Sequence, residues 1–179
     1  EVEAVAPPGR SIVLLGATAT DGCIGHIAAY IPRGRRMGGG IGAEGEQEIP
    51  GASEVLDAIL ETIAPLAPEA PRPILEHVMP LPSTGDSHAL AAGLVSVLAI
   101  LGAQAAPAVA ATGGWDAVSR RFTTVPPETL KGKLAAAKRW GVKRVLVVEG
   151  QAGIENSPIE IVEISAEPGA LPLAAVQYA

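Results

Sequence analysis

The chain has 179 residues, 48% hydrophobic and 18% charged, enough apolar material for one folded domain with a real core and too much for a disordered segment. Its 13 basic and 19 acidic side chains leave a net charge of −6, which disfavours a broad nucleic-acid or anionic-membrane surface. One cysteine excludes an internal disulfide and fits a reducing, cytoplasmic setting, and no apolar run approaches the ~20 residues of a membrane span. Only five residues are aromatic, so Ala, Val, Ile and Leu must fill the core. The start at Glu1, with no signal-peptide layout and no initiator methionine, is expected of a domain cut from a longer protein.

In chain order, residues 1–10 read as a loose lead-in and 11–179 as a single domain. "SIVLLGATAT" (11–20) and "GCIGHIAAYIP" (22–32) predict two strands joined by a short Asp-Gly turn. Residues 33–51 are a glycine-rich connection. "ASEVLDAILETIAPL" (52–66) predicts an amphipathic helix with Val55, Ile59 and Ile63 on one stripe. A Pro-rich linker (65–73) leads to a strand around "ILEHVM" (74–79), and a helix runs from Ser87 to a stop near Gly102. "APAVAAT" (106–112) reads as a buried strand, and 113–128 as irregular or a hairpin. "ETLKGKLAAAKRWG" (128–141) predicts a helix stopping at Gly141, followed by strands "VKRVLVVEG" (142–150) and "IEIVEIS" (159–165). The expected fold class is α/β (α+β), with mixed small sheets and flanking helices.

Three places could carry chemistry. "GGGIGAEGE" suggests phosphate binding, but the loop lacks the Lys and Ser/Thr that a phosphate-cradling motif places after its glycines; a surface loop or hairpin is the simpler reading. Cys23 and His26 lie three apart on a predicted strand, hence on opposite faces, so no metal site is expected and Cys23 reads as a small core residue.

The third place is Ser87 with Lys133. At about 100° per residue, Leu130, Leu134, Ala137 and Gly141 share a narrow stripe on their helix. Lys131 and Lys138 project away from it. Lys133 lies beside it, and must snorkel outward or accept burial. Burial penalises the ammonium, and a neutral lysine is what a serine needs as general base. Ser87 stands where a Pro/Gly turn becomes a helix. A serine there is ordinarily a cap; as a nucleophile it would have free backbone N–H groups and the helix dipole beside its oxyanion.

"GDSHALAAGLVSVLAILG" (85–102) resembles the nucleophile segment of Lon-family proteases, in which the serine follows Gly-Asp or Gly-Pro and opens a small-residue-rich helix. "VAATGG" (109–114) is similar to the family's next strand, which ends in Thr-Gly, and "LKGKLAAAKRWGVKRVLVVEG" (130–150) to the segment holding the catalytic lysine. The second lysine of "LK-x-K" is the catalytic one in that pattern, which carries the role to Lys133. The order is kept across residues 85–150, and "IEIVEIS" extends the likeness towards 165. Residues 11–70 fit only loosely. The family's Gly-Gly before the lysine helix is replaced by Pro126-Pro127-Glu128-Thr129. Ser83, in "PSTG", imitates another form of the motif, but the distances to Gly102 and Thr112 favour Ser87.

The resemblance implies a serine peptidase with a Ser87–Lys133 dyad that cleaves unfolded or damaged proteins. It further implies that Thr112 holds the lysine and that backbone N–H groups near Asp86 and Ser87 form the oxyanion hole; Asp86 as a helix cap is the alternative. No cofactor or metal is expected in this chain, and ATP only if a separate ATPase module exists, because no Walker motif occurs. The implied partners are polypeptide substrates and copies of the chain, a six-membered ring being the family's common form, with neither nucleic acid nor membrane. His88, next to Ser87 but ~100° round the helix, is a poor base; His77 sits on a strand that could flank the substrate. Birnavirus polyprotein proteases share a similar dyad, but the 130–150 segment reads closer to cellular Lon. The reading from a different class is a non-catalytic Lon-like module, serving assembly or DNA contact in a larger ATPase.

Overall fold

The computed structural model describes residues 11–17, 22–31, 52–78, 87–155 and 157–179. The lead-in 1–10, the glycine-rich connection, Ser83 and Asp86 lie outside the described residues. Apolar, β-branched runs in the first part pair as β1 (Ser11–Ala17) and β2 (Gly22–Tyr30), antiparallel, with β3 (Ile74–Val78) antiparallel on the other side of β2. Parallel strands continue from the other edge of β1: β4 (Val109–Thr112), β7 (Arg144–Val148) and β8 (Glu160–Ile164). The six-stranded order is β3-β2-β1-β4-β7-β8. Between β4 and β7 the chain makes a short hairpin, β5 (Gly114–Asp116) with β6 (Arg121–Thr123), and then a crossover helix. The fold is mixed α/β, as the sequence predicts.

Alternation along β4 and β7 divides the core. Ala111, Leu146 and Val148 belong to one apolar cluster, which also contains α1 (Ala52–Ile63), α2 (Ala89–Leu101) and α4 (Leu171–Tyr178). Their neighbours Ala110, Val145 and Val147 belong to the other, with Leu130, Leu134 and Ala137 of α3 (Pro127–Arg139). Strands covered on both faces explain why "VKRVLVVEG" is a continuous apolar run rather than an alternating one. The α1 stripe Val55, Ile59 and Ile63 is buried as predicted. Gly102 adopts φ 70° at the end of α2, and Ala103 N–H donates to Leu98 O at 2.9 Å, closing the helix as expected.

Three details differ from the sequence reading. The helix after the Pro/Gly turn begins at Ala89, two residues later than predicted, with His88 and not Ser87 at its cap. Cys23 is only partly buried, so it is not a core residue; His26 is exposed. The short turn Pro168–Ala170 and α4 have no counterpart in the sequence reading, because α4 is only eight residues long and lacks a clear apolar stripe; Pro168 and Pro172 fall in the first turns, where proline is tolerated. Its Leu171 is fully buried; the helix packs on α2.

The β5–β6 hairpin is tied to the rest of the fold by Phe122 N–H, which donates to Ala166 O at 2.8 Å, and also carries contacts of its own. Trp115 and Phe122 meet edge-to-face at 5.1 Å, and the Asp116 carboxylate accepts from Ser119 Oγ at 2.6 Å and from Val118 N–H at 3.0 Å. The Ser119 hydroxyl, then the Val118 amide, hold Asp116 below its ordinary value of 3.8. This contribution to stability is therefore present above pH 3.8 and is lost as pH falls through the lower folded value. Ser119→Ala should move the Asp116 carboxyl resonance titration back up towards 3.8; an unmoved titration would show that the hydroxyl is not the cause.

Candidate active site

Thr112 is the last residue of β4, on the strand face shared with Ala110, and so points towards α3. Lys133 comes off α3 between Leu130 and Leu134, on the face turned to the sheet. The two side chains meet: Lys133 Nζ donates to Thr112 Oγ1 at 2.8 Å, with Lys133 3% exposed and Thr112 fully buried. Of the two outcomes open to this lysine, snorkelling or burial, burial is the one found. Lys131 and Lys138 are exposed, as the helical spacing requires.

The segment carrying Ser87 reaches the same place. Thr112 Oγ1 donates to Ser87 O at 3.3 Å, and Gly113 N–H donates to the same carbonyl at 2.9 Å. In return Leu90 N–H, an orphan donor in the first turn of α2, donates to Gly113 O at 3.1 Å. The start of α2 is thus stitched to the end of β4 by backbone bonds on both sides. An unbroken hydrogen-bonded line runs from Lys133 Nζ through Thr112 Oγ1 to the Ser87 carbonyl. Ser87 itself remains partly exposed.

Gly113 is what permits this approach. A Cβ there would lie 2.7 Å from Val148 Cγ2 and 3.1 Å from Leu90 Cβ. The Thr-Gly pair therefore divides two tasks: the threonine hydroxyl faces the lysine, and the bare glycine lets α2 close over the strand end. Two strands away in the same sheet, at β2, a second close approach fixes the helix height. A Cβ at Gly22 would fall 2.0 Å from Gly132 O, and Arg139 Nη2 donates to Gly22 O at 3.1 Å. Gly132 is the residue before Lys133.

His88 is buried at the cap of α2. His77 lies on β3, an edge strand of the sheet, paired with Ile27. Among the described residues no group of three or more His, Cys, Asp or Glu side chains could hold a metal ion, and no helix is long and apolar enough to cross a membrane. Sequence reasoning missed Gln151, 4% exposed, whose side chain bonds the backbone of Val125 just before α3. A lone glutamine in a polar turn carries no spacing signal, so only the tertiary contact identifies it. Compared with known proteins, the chain matches no protein-family model and no curated protein.

Proposed function

We propose that the chain is a Lon-like serine peptidase in which Ser87 is the nucleophile and Lys133 the general base. The observation that carries this reading is the hydrogen-bonded line Lys133 Nζ–Thr112 Oγ1–Ser87 O, which joins a buried lysine to the backbone of a partly exposed serine just before a helix. Burial favours the neutral amine, the form that can accept a proton. The Thr112 hydroxyl accepts from the lysine and donates to the Ser87 carbonyl, so it orients both partners at once.

The chemistry is acyl transfer. Lys133 Nζ takes the proton of Ser87 Oγ as that oxygen bonds to the scissile carbonyl carbon, and the carbonyl electrons move to its oxygen. The C–N bond then breaks as the lysine ammonium returns its proton to the leaving amine. Water adds to the acyl-enzyme, giving its proton to Lys133, and the serine leaves with that proton restored. By the same resemblance, backbone N–H groups of the Asp86–Ser87 stretch stabilise the oxyanion. Nothing in these steps calls for a cofactor; ATP enters where a separate ATPase module unfolds the substrate. The reading further takes unfolded polypeptides as substrates, a ring of like subunits as the assembly and the cytoplasm as the setting.

Ser87→Ala tests it. Cleavage of an unfolded protein such as reduced casein should fall at least about a thousandfold with the melting temperature unchanged. Casein cleavage that survives the substitution would remove Ser87 from the mechanism. A protein with no Ser87-dependent cleavage that is retained on DNA would instead be the non-catalytic module.

A further inference from the structure

Gln151 is a buried polar side chain that the serine–lysine pair does not use. Its Oε1 accepts from Val125 N–H at 2.9 Å, while its Nε2 donates to Val125 O at 2.8 Å and to Ala152 O at 2.9 Å. The amide thus pairs with one backbone residue in both directions, as a neighbouring strand would. The position explains the need. Val125 is followed by Pro126 and Pro127, which have no N–H, so the chain entering α3 has no backbone donor of its own at either residue.

Packing supports the same joint. A Cβ at Gly153 would lie 3.3 Å from Pro127 Cβ, so the turn leaving β7 lies against the first residue of α3. β7 is also the strand beside Thr112, which is in register with Val147. The strand pair that presents Thr112 therefore carries, through Gln151, the point from which α3 departs. Lys133 follows six residues into that helix, about 9 Å along its axis. We propose that Gln151 is a positioning residue that sets where Lys133 Nζ lies relative to Thr112 and the Ser87 segment, an inference that rests on the serine–lysine reading above.

Gln151→Met tests this, because it keeps the volume of the side chain and removes its amide. In the folded variant, kcat for a peptide substrate should drop by about tenfold or more while KM stays within about twofold, since the base is displaced and the substrate surface is not. A second readout does not depend on turnover. The chain has four lysines, so protein labelled with 13C at lysine Cε has few resonances, and that of Lys133 is identified by its loss in Lys133→Met. The Lys133 resonance should move in Gln151→Met while those of Lys131, Lys138 and Lys143 stay. If the methionine variant does not fold, Gln151→Asn, which keeps an amide but is one methylene too short, carries both readouts. A folded variant with parental kcat and an unmoved Lys133 resonance overturns the inference. If the parent protein shows no Ser87-dependent cleavage, the dyad reading fails, and the resonance still decides whether Gln151 positions the lysine.

Discussion

Lys133→Met should yield a folded protein, at least as stable as the parent, that no longer cleaves polypeptides. The two halves of this result have different causes. Activity should fall at least about a hundredfold, since the substitution removes the general base and thioether sulfur cannot replace it. Stability should hold or rise by about 1–2 kcal/mol, because a lysine must give up its proton and its hydration to be buried, whereas an apolar side chain of similar length fits the site at lower cost. Leu130, Leu134 and Ala137, on the same face of α3, already belong to an apolar cluster. Thr112 Oγ1 keeps the Ser87 carbonyl as its acceptor, so its hydroxyl proton is not orphaned. Urea unfolding and casein cleavage measured on the same preparation check both halves. A loss of several kcal/mol would make Lys133 a structural cation and would count against a neutral base.

Gly22→Ala should have the largest effect on the fold of any single methyl group discussed here. The added carbon would sit 2.0 Å from Gly132 O, 2.5 Å from Gly132 C and 3.0 Å from Ala136 Cβ. The first two are backbone atoms of a helix and cannot rotate away, so β2 and α3 must separate. Overpacking of this kind costs about 3 kcal/mol, which for a chain of this size lowers the melting temperature by roughly 10 °C. Because Lys133 is the next residue on α3, the surviving folded protein should also lose peptidase activity per molecule. Calorimetry together with active-site titration separates the two effects. A parental melting temperature would show that β2 and α3 do not approach as closely as the structure has them.

Gly22 also shows where reading the sequence stops. As "DG" between two apolar runs it has an obvious role in a hairpin turn. Its methyl-free surface is used instead at the start of β2, against a helix more than a hundred residues later. Ser87 is a second case. Its place after a Pro/Gly turn and before an apolar helix suggests a cap, yet His88 takes the cap position and Ser87 is held through its carbonyl by Thr112 and Gly113. Periodicity cannot distinguish these, because a carbonyl bonded to a distant strand leaves no local pattern. Nor can it find α4, which is short, carries a proline in its first turn, and is stabilised by packing on α2 rather than by its own amphipathic spacing.

The set of elements and the oddity of one lysine are legible in the residues alone. Apolar runs, alternation and 3.6-residue spacing place nine of the strands and helices close to where they lie, since those periods reflect which side chains a pleat or a helix turns inward. The same spacing singles out Lys133 from Lys131 and Lys138. That this lysine is buried rather than snorkelled, and bonded to Thr112, emerges from packing between distant segments. The physical reason is that burial and hydrogen bonding belong to pairs of elements. β4 offers its hydroxyl to α3 because the strand alternates; Gly22 lets the helix that carries the lysine lie close, and Gly113 lets α2 come down over the strand end and bring the Ser87 carbonyl to the same hydroxyl. No stretch of chain contains that arrangement; it exists where four elements meet.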